Sequence, residues 1–446
     1  MPAIFTKHPF MSQPALDACD EQAMVNAMLA FELALAEVQE ASGAIPAGVS
    51  QQIRDQLEKA IFSVDTIAEG IASGGNVAIH FVKQGRSLLP NELKRYWHQG
   101  ATSQDVVDSA LMLLLKPRLV ALDSLLRRCR SAALVLMESH AQTPMVGRTL
   151  MQQALPITFG VKVSHWAVGL EQARRRLLTV ELPVQFGGAV GVHSGWDALG
   201  LDWMDALAER LGLASPVLPW HTDRYPIHAL GTAFDAVAGA ADKIALDISL
   251  LTQTEIGEVA EPSAPGMGES SSMPHKRNPV RCAMIRSAAR QVHGHTSVLI
   301  NASAQPLERG LGEWHAEWAP LIESALLVEG ALAQVAVLLE GLEVNPGNMQ
   351  RNLAATGGGI MAEPVARLLT PHLGSDAAKA VTAAAAETSR LERRPYAEVL
   401  VEVLSTSPEL TDQVDATALR QACDPALYLG SSERQVARAC QWLISE

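Results

Sequence analysis

The stretch Gly268-Glu-Ser-Ser-Ser-Met-Pro-His-Lys-Arg-Asn-Pro279 sets three hydroxyls, a lysine, an arginine and an asparagine among two prolines. Gly266 and Gly268, with Pro265 ahead of them, oppose regular structure. Pro274 and Pro279 each remove a backbone donor and bias the residue before them away from helix. A segment of this kind is held by side chains or ligand rather than by a backbone ladder. Its Lys and Arg donate charge-assisted hydrogen bonds to carboxylate or phosphate, and a hydroxyl beside such cations is more easily deprotonated. The stretch reads as a cationic, anion-binding loop.

On both sides of this loop the chain shows helical periodicity. From Ser103 to Cys129, Val107, Ala110, Leu111, Leu114, Leu122, Leu125 and Leu126 recur at steps of three and four; Thr102 or Ser103 is placed to cap the start, and Pro117 predicts a kink. A second pattern runs from about Phe234 to Glu258, a third from Cys282 to Ile300 and a fourth from Pro320 to Leu342. These are long for globular helices, and their Ala- and Leu-rich stripes read as a bundle with faces left for oligomer contacts. Strand-like alternation is scarce, and Val180 to Gly191 reads as a loop built around Gly187, Gly188 and Gly191. Composition shifts near Gly100 and at Gly357-Gly358-Gly359 predict three domains: a helical head over 1–100, a long-helix bundle with the loop over 101–350, and a helical tail over 351–446. The fold class is all-α.

Hydrophobic residues at 48% and charged residues at 19% describe a folded soluble chain. A net charge of -13 argues against nucleic-acid binding, so the basic loop is a local exception and its partner a small anion. Five cysteines without paired metal-type spacing predict reduced thiols in the cytoplasm, with Cys282 a buried, inert one. Neither a secretory signal nor an uninterrupted apolar run of membrane-spanning length stands out. No His/Asp/Glu cluster has ligand spacing, and the reading assigns no metal or cofactor.

The loop resembles the Ser-Ser-x-Met-Pro-x-Lys-x-Asn-Pro motif of the fumarase/aspartase superfamily. The resemblance covers essentially the whole chain and implies the three-part plan, a homotetramer cored by the bundle, and sites shared between subunits. It maps the reactive serine to Ser270 and the substrate-binding partners to Lys276 and Asn278, with Ser271 a further binding hydroxyl; Glu269 replaces the usual Gly. A second segment, His98-Gln-Gly-Ala-Thr-Ser-Gln-Asp-Val-Val-Asp108, resembles another superfamily region. Its Thr102 and Ser103 offer hydroxyls and a helix N-terminus to an anion, and His98 is placed to bind a carboxylate or move a proton. A third, Gly147-Arg-Thr-Leu-Met-Gln-Gln-Ala-Leu-Pro-Ile-Thr-Phe-Gly160, supplies Thr149 and Gln152 as hydrogen-bonding groups. There Leu150 occupies the position of the superfamily's catalytic acid histidine, and Ala283 that of the Glu that orients it.

Lyases and hydratases protonate a departing amine or water, whereas closing a lactone on an internal carboxylate expels nothing. The joint loss points to the cyclising branch, acting on a small polycarboxylate. Two more stretches resemble that branch, Pro219-Trp-His-Thr-Asp-Arg224 and Leu307-Glu-Arg-Gly-Leu-Gly-Glu-Trp-His-Ala-Glu-Trp318. Arg224 and Arg309 are the expected carboxylate clamps, since guanidinium gives bidentate recognition, while Trp314 and Trp318 are expected to pack. Gln253 is a further candidate for substrate contact, and Glu255 and Glu258 are expected to be solvated or intersubunit. Ser270 is the first candidate for proton transfer and His98 the second. The alternatives are an adenylosuccinate-type lyase and a non-catalytic, crystallin-like relative.

Overall fold

The computed structural model describes residues 10–196, 198–263, 268, 273, 275–405 and 414–445. The chain divides into two compact units. One comprises Met1–Leu126, Gln172–Asp242 and Met284–Gln334, the other Arg127–Glu171, Lys243–Ala283 and Val335–Glu446.

In the first unit, α1 (Glu21–Ala41) starts where Asp20 accepts the Ala23 N–H at 2.7 Å, with Glu21 adding negative charge to the first turn. Met28, Phe31, Leu35 and Val38 recur at helical spacing and are all at most 3% exposed. Helix α2 (Val77–Leu88) starts at Asn76, whose side chain accepts the Ala78 and Ile79 N–H groups. The longest described helix, α3 (Ser103–Ser139), runs 37 residues, about 55 Å at 1.5 Å per residue. It continues through Pro117, which stands exposed where water can take the carbonyl that the missing N–H leaves free.

The segment after α3, read above only as a motif, is a β-hairpin of β1 (Pro144–Thr149) and β2 (Gln152–Thr158). Its register shifts between Val146 and Arg148, where a Cβ on Gly147 would lie 2.9 Å from the Leu155 carbonyl oxygen. A two-residue turn joins Thr149 to Gln152. Both of its residues, Leu150 and Met151, have positive φ (50° and 66°), a conformation that hairpins normally give to Asn-Gly. Sequence alone hid this hairpin because nothing in Leu-Met signals such a turn.

Four more long helices follow: α4 (Phe159–Leu178), α5 (Tyr225–Leu251), α6 (Val280–Asn301) and α7 (Glu313–Glu340). Helix α5 begins nine residues before the predicted start, because Asp223 accepts the Tyr225 N–H at 3.2 Å and Pro226 suits a first turn. It ends seven residues before Glu258. Helix α7 starts at Glu313 and accommodates Pro320 inside it. Helix α7 is long and apolar enough to cross a membrane, yet 72% of its most apolar window is buried inside the fold. In the second unit β3 (Val259–Ala260) pairs with β4 (Glu343–Val344) on either side of the loop sequence, and the tail is helical around Val365, Leu369, Ala378, Ala385, Tyr396 and Leu400. Val180 to Gly191 forms no strand beyond an isolated bridge from Pro183 to Ala214.

Two L-residues in the left-handed region cost roughly 1–2 kcal/mol each, so replacing Leu150→Asn together with Met151→Gly is expected to raise unfolding stability by about 1–2 kcal/mol, read from the urea midpoint at unchanged m-value.

Candidate active site

In the first unit the start of α3 is organised by Asp105, which is fully buried. Its Oδ2 accepts the Thr102 N–H at 2.9 Å, half of a capping box, and the Gly188 N–H at 2.9 Å. Its Oδ1 accepts the Gly187 N–H at 3.0 Å and lies 2.8 Å from His221 Nε2. Gly188 has φ +70°, and a Cβ there would come within 3.0 Å of the Gly100 carbonyl oxygen. Gly187 and Gly188, read above as loop-formers, thus bring their N–H groups to this carboxylate in a loop with no room for a side chain: a Cβ on Gly187 would lie 2.7 Å from Pro219.

Asp105 ties down the turn that carries Thr102 and Ser103. Thr102 Oγ1 accepts a hydrogen bond from Arg309 Nη1 at 3.3 Å, and Arg309 Nη2 donates to the Ala189 carbonyl at 2.9 Å. Thr102, Ser103 and Arg309 are partly exposed, so guanidinium, hydroxyls and helix N-terminus, groups whose chemistry suits an anion, lie together at one edge of the unit. His98 lies just upstream with φ +60°. Its Nδ1 is 2.5 Å from Oε1 of Glu32, a buried carboxylate of α1. Burial alone would lower the His98 pKa, but the Glu32 charge and hydrogen bond outweigh it and hold the imidazole above its ordinary value.

Arg224, expected as a carboxylate clamp, is paired instead with the protein's own carboxylates. It is 1% exposed and its five N–H donors are taken: Nε and Nη2 donate to Glu317, Nη1 and Nη2 to Asp108, and Nη1 also to the Trp220 carbonyl. Its guanidinium lies 4.7 Å from the centre of the Trp220 ring. Trp314, expected to pack, is 3% exposed, meets Trp318 edge-on at 4.9 Å and donates to Asp108 at 2.9 Å.

In the second unit the loop base is pinned from both ends. Arg277 pairs bidentately with Glu343 at 2.8 and 2.9 Å and donates to the Glu261 carbonyl. The Asn278 backbone N–H and side-chain Nδ2 both donate to the Gly268 carbonyl, at 3.0 and 3.1 Å. Glu261 caps α6, accepting the Arg281 and Cys282 N–H groups at 3.1 and 2.8 Å. Lys276 is exposed and lines a cleft of about 800 Å³ with Thr252, Thr254, His275 and Asn278. Ser270 and Ser271 lie outside the described residues. Gln253 is exposed just beyond α5, and its side chain donates to the Leu250 carbonyl at 2.9 Å. Thr149 and Gln152 are exposed at the hairpin tip on either side of Leu150, which is 98% exposed, and Ala283 is exposed in the first turn of α6.

Glu258 corrects a further expectation. It is neither solvated nor at a helix end but fully buried, accepting two hydrogen bonds from Arg148, at 2.7 and 3.0 Å, and one from Asn352 at 2.9 Å. Glu255 is exposed, as expected. Sequence reasoning assigned no role to Glu32, Asp105, Asp108, Arg148 or Glu317. A charge at a core position of an apolar helix signals a buried pair, but partners 66 to 116 residues away carry no local mark.

A family model described as a lyase matches residues 2–294. A 3-carboxy-cis,cis-muconate cycloisomerase of Pseudomonas aeruginosa is 40% identical over 437 residues, covering 96% of this chain and 94% of that protein. A nitrosuccinate lyase of Streptomyces davaonensis is 39% identical over 439 residues, covering 96% and 92%. The crystal structure of 3-carboxy-cis,cis-muconate lactonizing enzyme from Pseudomonas putida matches with a TM-score of 0.91 at 37% identity, covering 99% of both chains.

The Arg224 cluster predicts a pH signature. Asp108 and Glu317 share one guanidinium, and burial pushes the Glu317 carboxyl up to about 7 from 4.5 despite the hydrogen bonds from Arg224. A carboxyl whose pKa is raised on folding binds its proton more tightly in the native state, so its contribution favours folding at low pH and declines as pH rises from about 4.5 to 7. Wild type is expected to lose on the order of 2–3 kcal/mol relative to Glu317→Gln across that window, measured by urea unfolding at a series of pH values.

Proposed function

The chain belongs to this lyase family and has the long-helix fold of the fumarase/aspartase superfamily, and from that premise we propose that it is a 3-carboxy-cis,cis-muconate cycloisomerase. The carrying observation is the pair Leu150 and Ala283. The position of the superfamily's acid holds a hydrocarbon on a fixed turn, and the position of its carboxylate partner holds a methyl group. The reaction to be catalysed is then one in which no leaving group needs a proton.

Internal addition meets that condition. One substrate carboxylate oxygen bonds to a carbon of the conjugated alkene, and the π electrons move onto the carboxylate at the other end as an enediolate. A proton then reaches the carbon next to it. Both reacting groups belong to one molecule, so binding mainly selects a reactive rotamer. The exposed Lys276 ammonium, with Asn278 and loop hydroxyls, is suited to the enediolate charge, which appears only as the bond forms. Thr102, Ser103 and Arg309 are suited to a non-reacting carboxylate, and Ser270 and His98 are the candidates for proton delivery. Thr149, Gln152, Gln253 and Ser271 complete the proposed set of substrate contacts.

A second reading has its own support. Nitrite leaves as a stable anion without an acid, so loss of the histidine fits nitrosuccinate cleavage equally, and the relative of that name is almost as similar. Adenylosuccinate-type cleavage, which releases an amine, is disfavoured by the same two positions. Retention of Lys276 and Asn278 disfavours a non-catalytic relative. We also read the protein as a cytoplasmic homotetramer, with domains over 1–100, 101–350 and 351–446 and with sites shared between subunits. Support comes from five free thiols and from large apolar side chains left exposed, Leu150, Val217 and Leu311 among them.

Purified protein is expected to bleach the diene absorbance of 3-carboxy-cis,cis-muconate and to release no nitrite from nitrosuccinate. Nitrite without bleaching would transfer the assignment to the second reading. Lys276→Met is expected to lower kcat by about 10²–10³-fold while leaving the far-UV circular dichroism unchanged.

A further inference from the structure

We propose that Glu32 is a positioning residue that makes His98 the proton donor of the reaction; the inference rests on the cycloisomerase reading.

Glu32 sits in Ala30-Phe-Glu-Leu-Ala-Leu-Ala-Glu37, on a helix whose neighbouring Phe31, Leu33 and Leu35 are buried. An unpaired carboxylate there would be costly, since burial strips its hydration. One oxygen is satisfied by His98 Nδ1 at 2.5 Å, while Oε2 is buried without a hydrogen-bond partner. The other charged groups acting on the ring are Asp105 of α3, which favours the cation, and Arg86 of α2, which opposes it. The balance keeps the imidazole protonated above its ordinary range.

Orientation supports the same role. The His98 backbone is held at φ +60°, a left-handed conformation that costs a non-glycine residue on the order of 1 kcal/mol. With Nδ1 engaged by Glu32, Nε2 makes no hydrogen bond to the described residues. The His98 side chain keeps 18% of its surface exposed, whereas Glu32 keeps none. The ring is therefore fixed from behind with its second N–H left for another molecule. Four residues on, Thr102 and Arg309 form the anion-binding edge that would hold a substrate carboxylate.

The step balances. As the C–O bond forms, the alkene pair becomes the enediolate; Nε2–H then passes its proton to the adjacent carbon and the enediolate electrons return to a carboxylate. The trianionic substrate becomes a dianionic lactone. One proton is taken up, and solvent restores it to His98.

The test is the pH dependence of diene bleaching by the full-length protein. In wild type, kcat is expected to fall on the alkaline side, because a donor works only while protonated. Glu32→Gln removes the charge that holds the proton. It is expected to move that limb down by at least one pH unit and to cut kcat at pH 7.5 by about 10–100-fold, with KM within about threefold. Glu32→Asp is expected to restore part of both. His98→Asn keeps Glu32 and tests the donor directly, with an expected loss in kcat of about 10²–10⁴-fold. Any of three results would overturn the inference: an alkaline limb unmoved in Glu32→Gln, a His98→Asn enzyme with raised KM and intact kcat, or a limb lost in Ser270→Ala but kept in His98→Asn. Wild type that leaves the diene untouched would sink the cycloisomerase reading itself.

Discussion

The first unit depends on one guanidinium. Arg224 has lost essentially all contact with water, and two carboxylates from two long helices, Asp108 of α3 and Glu317 of α7, together with the Trp220 carbonyl, replace it. Taking three charges out of water is expensive, and removing one partner from such a set commonly costs 3–5 kcal/mol because the remainder is left unpaired. A hydrocarbon core would have tolerated sliding of one helix along another by a fraction of a turn. Directional bonds from a rigid planar fork do not, and the register they set places the start of α3, with Thr102 and Ser103, against Arg309.

The second unit uses the same device. Arg148, one residue pair back from the hairpin turn, meets the fully buried Glu258, which Asn352 also reaches from the short helix Pro346–Leu353. This network fixes the hairpin, and β3 begins at the residue after Glu258. Gln153, the cross-strand partner of Arg148, donates to the Asn352 carbonyl, so both strands are tied to the same cluster. In both units site candidates stand partly or fully exposed beside buried carboxylates, His98 and Thr102 in one and Thr149 and Gln152 in the other, a division of labour in which polar cores supply geometry and exposed positions supply chemistry.

Much of this was legible in the sequence, and the reasons differ by feature. The long helices declared themselves through apolar periodicity, although α5 and α7 started earlier than predicted because capping by Asp223 and the turn before Glu313 lay outside the apolar stripe. Thr102 and Arg309 are 207 residues apart in sequence, and the fold brings them into contact. Arg224 was misread for a physical reason: bidentate geometry suits a protein carboxylate as well as a substrate's, and burial decides between them. Glu32, Asp105 and Glu258 could not be assigned partners because the groups that pair with them lie 66 to 116 residues away, with no local mark in the sequence. Ser270 and Ser271 rest on the motif alone.

The hairpin tip has one more consequence. Met151 is 69% exposed and its backbone is held at a positive φ of 66°. Peroxide would convert it to a sulfoxide, turning the apolar end of the hairpin polar and chiral beside Thr149 and Gln152, and recovery would depend on a cellular reductase rather than on refolding.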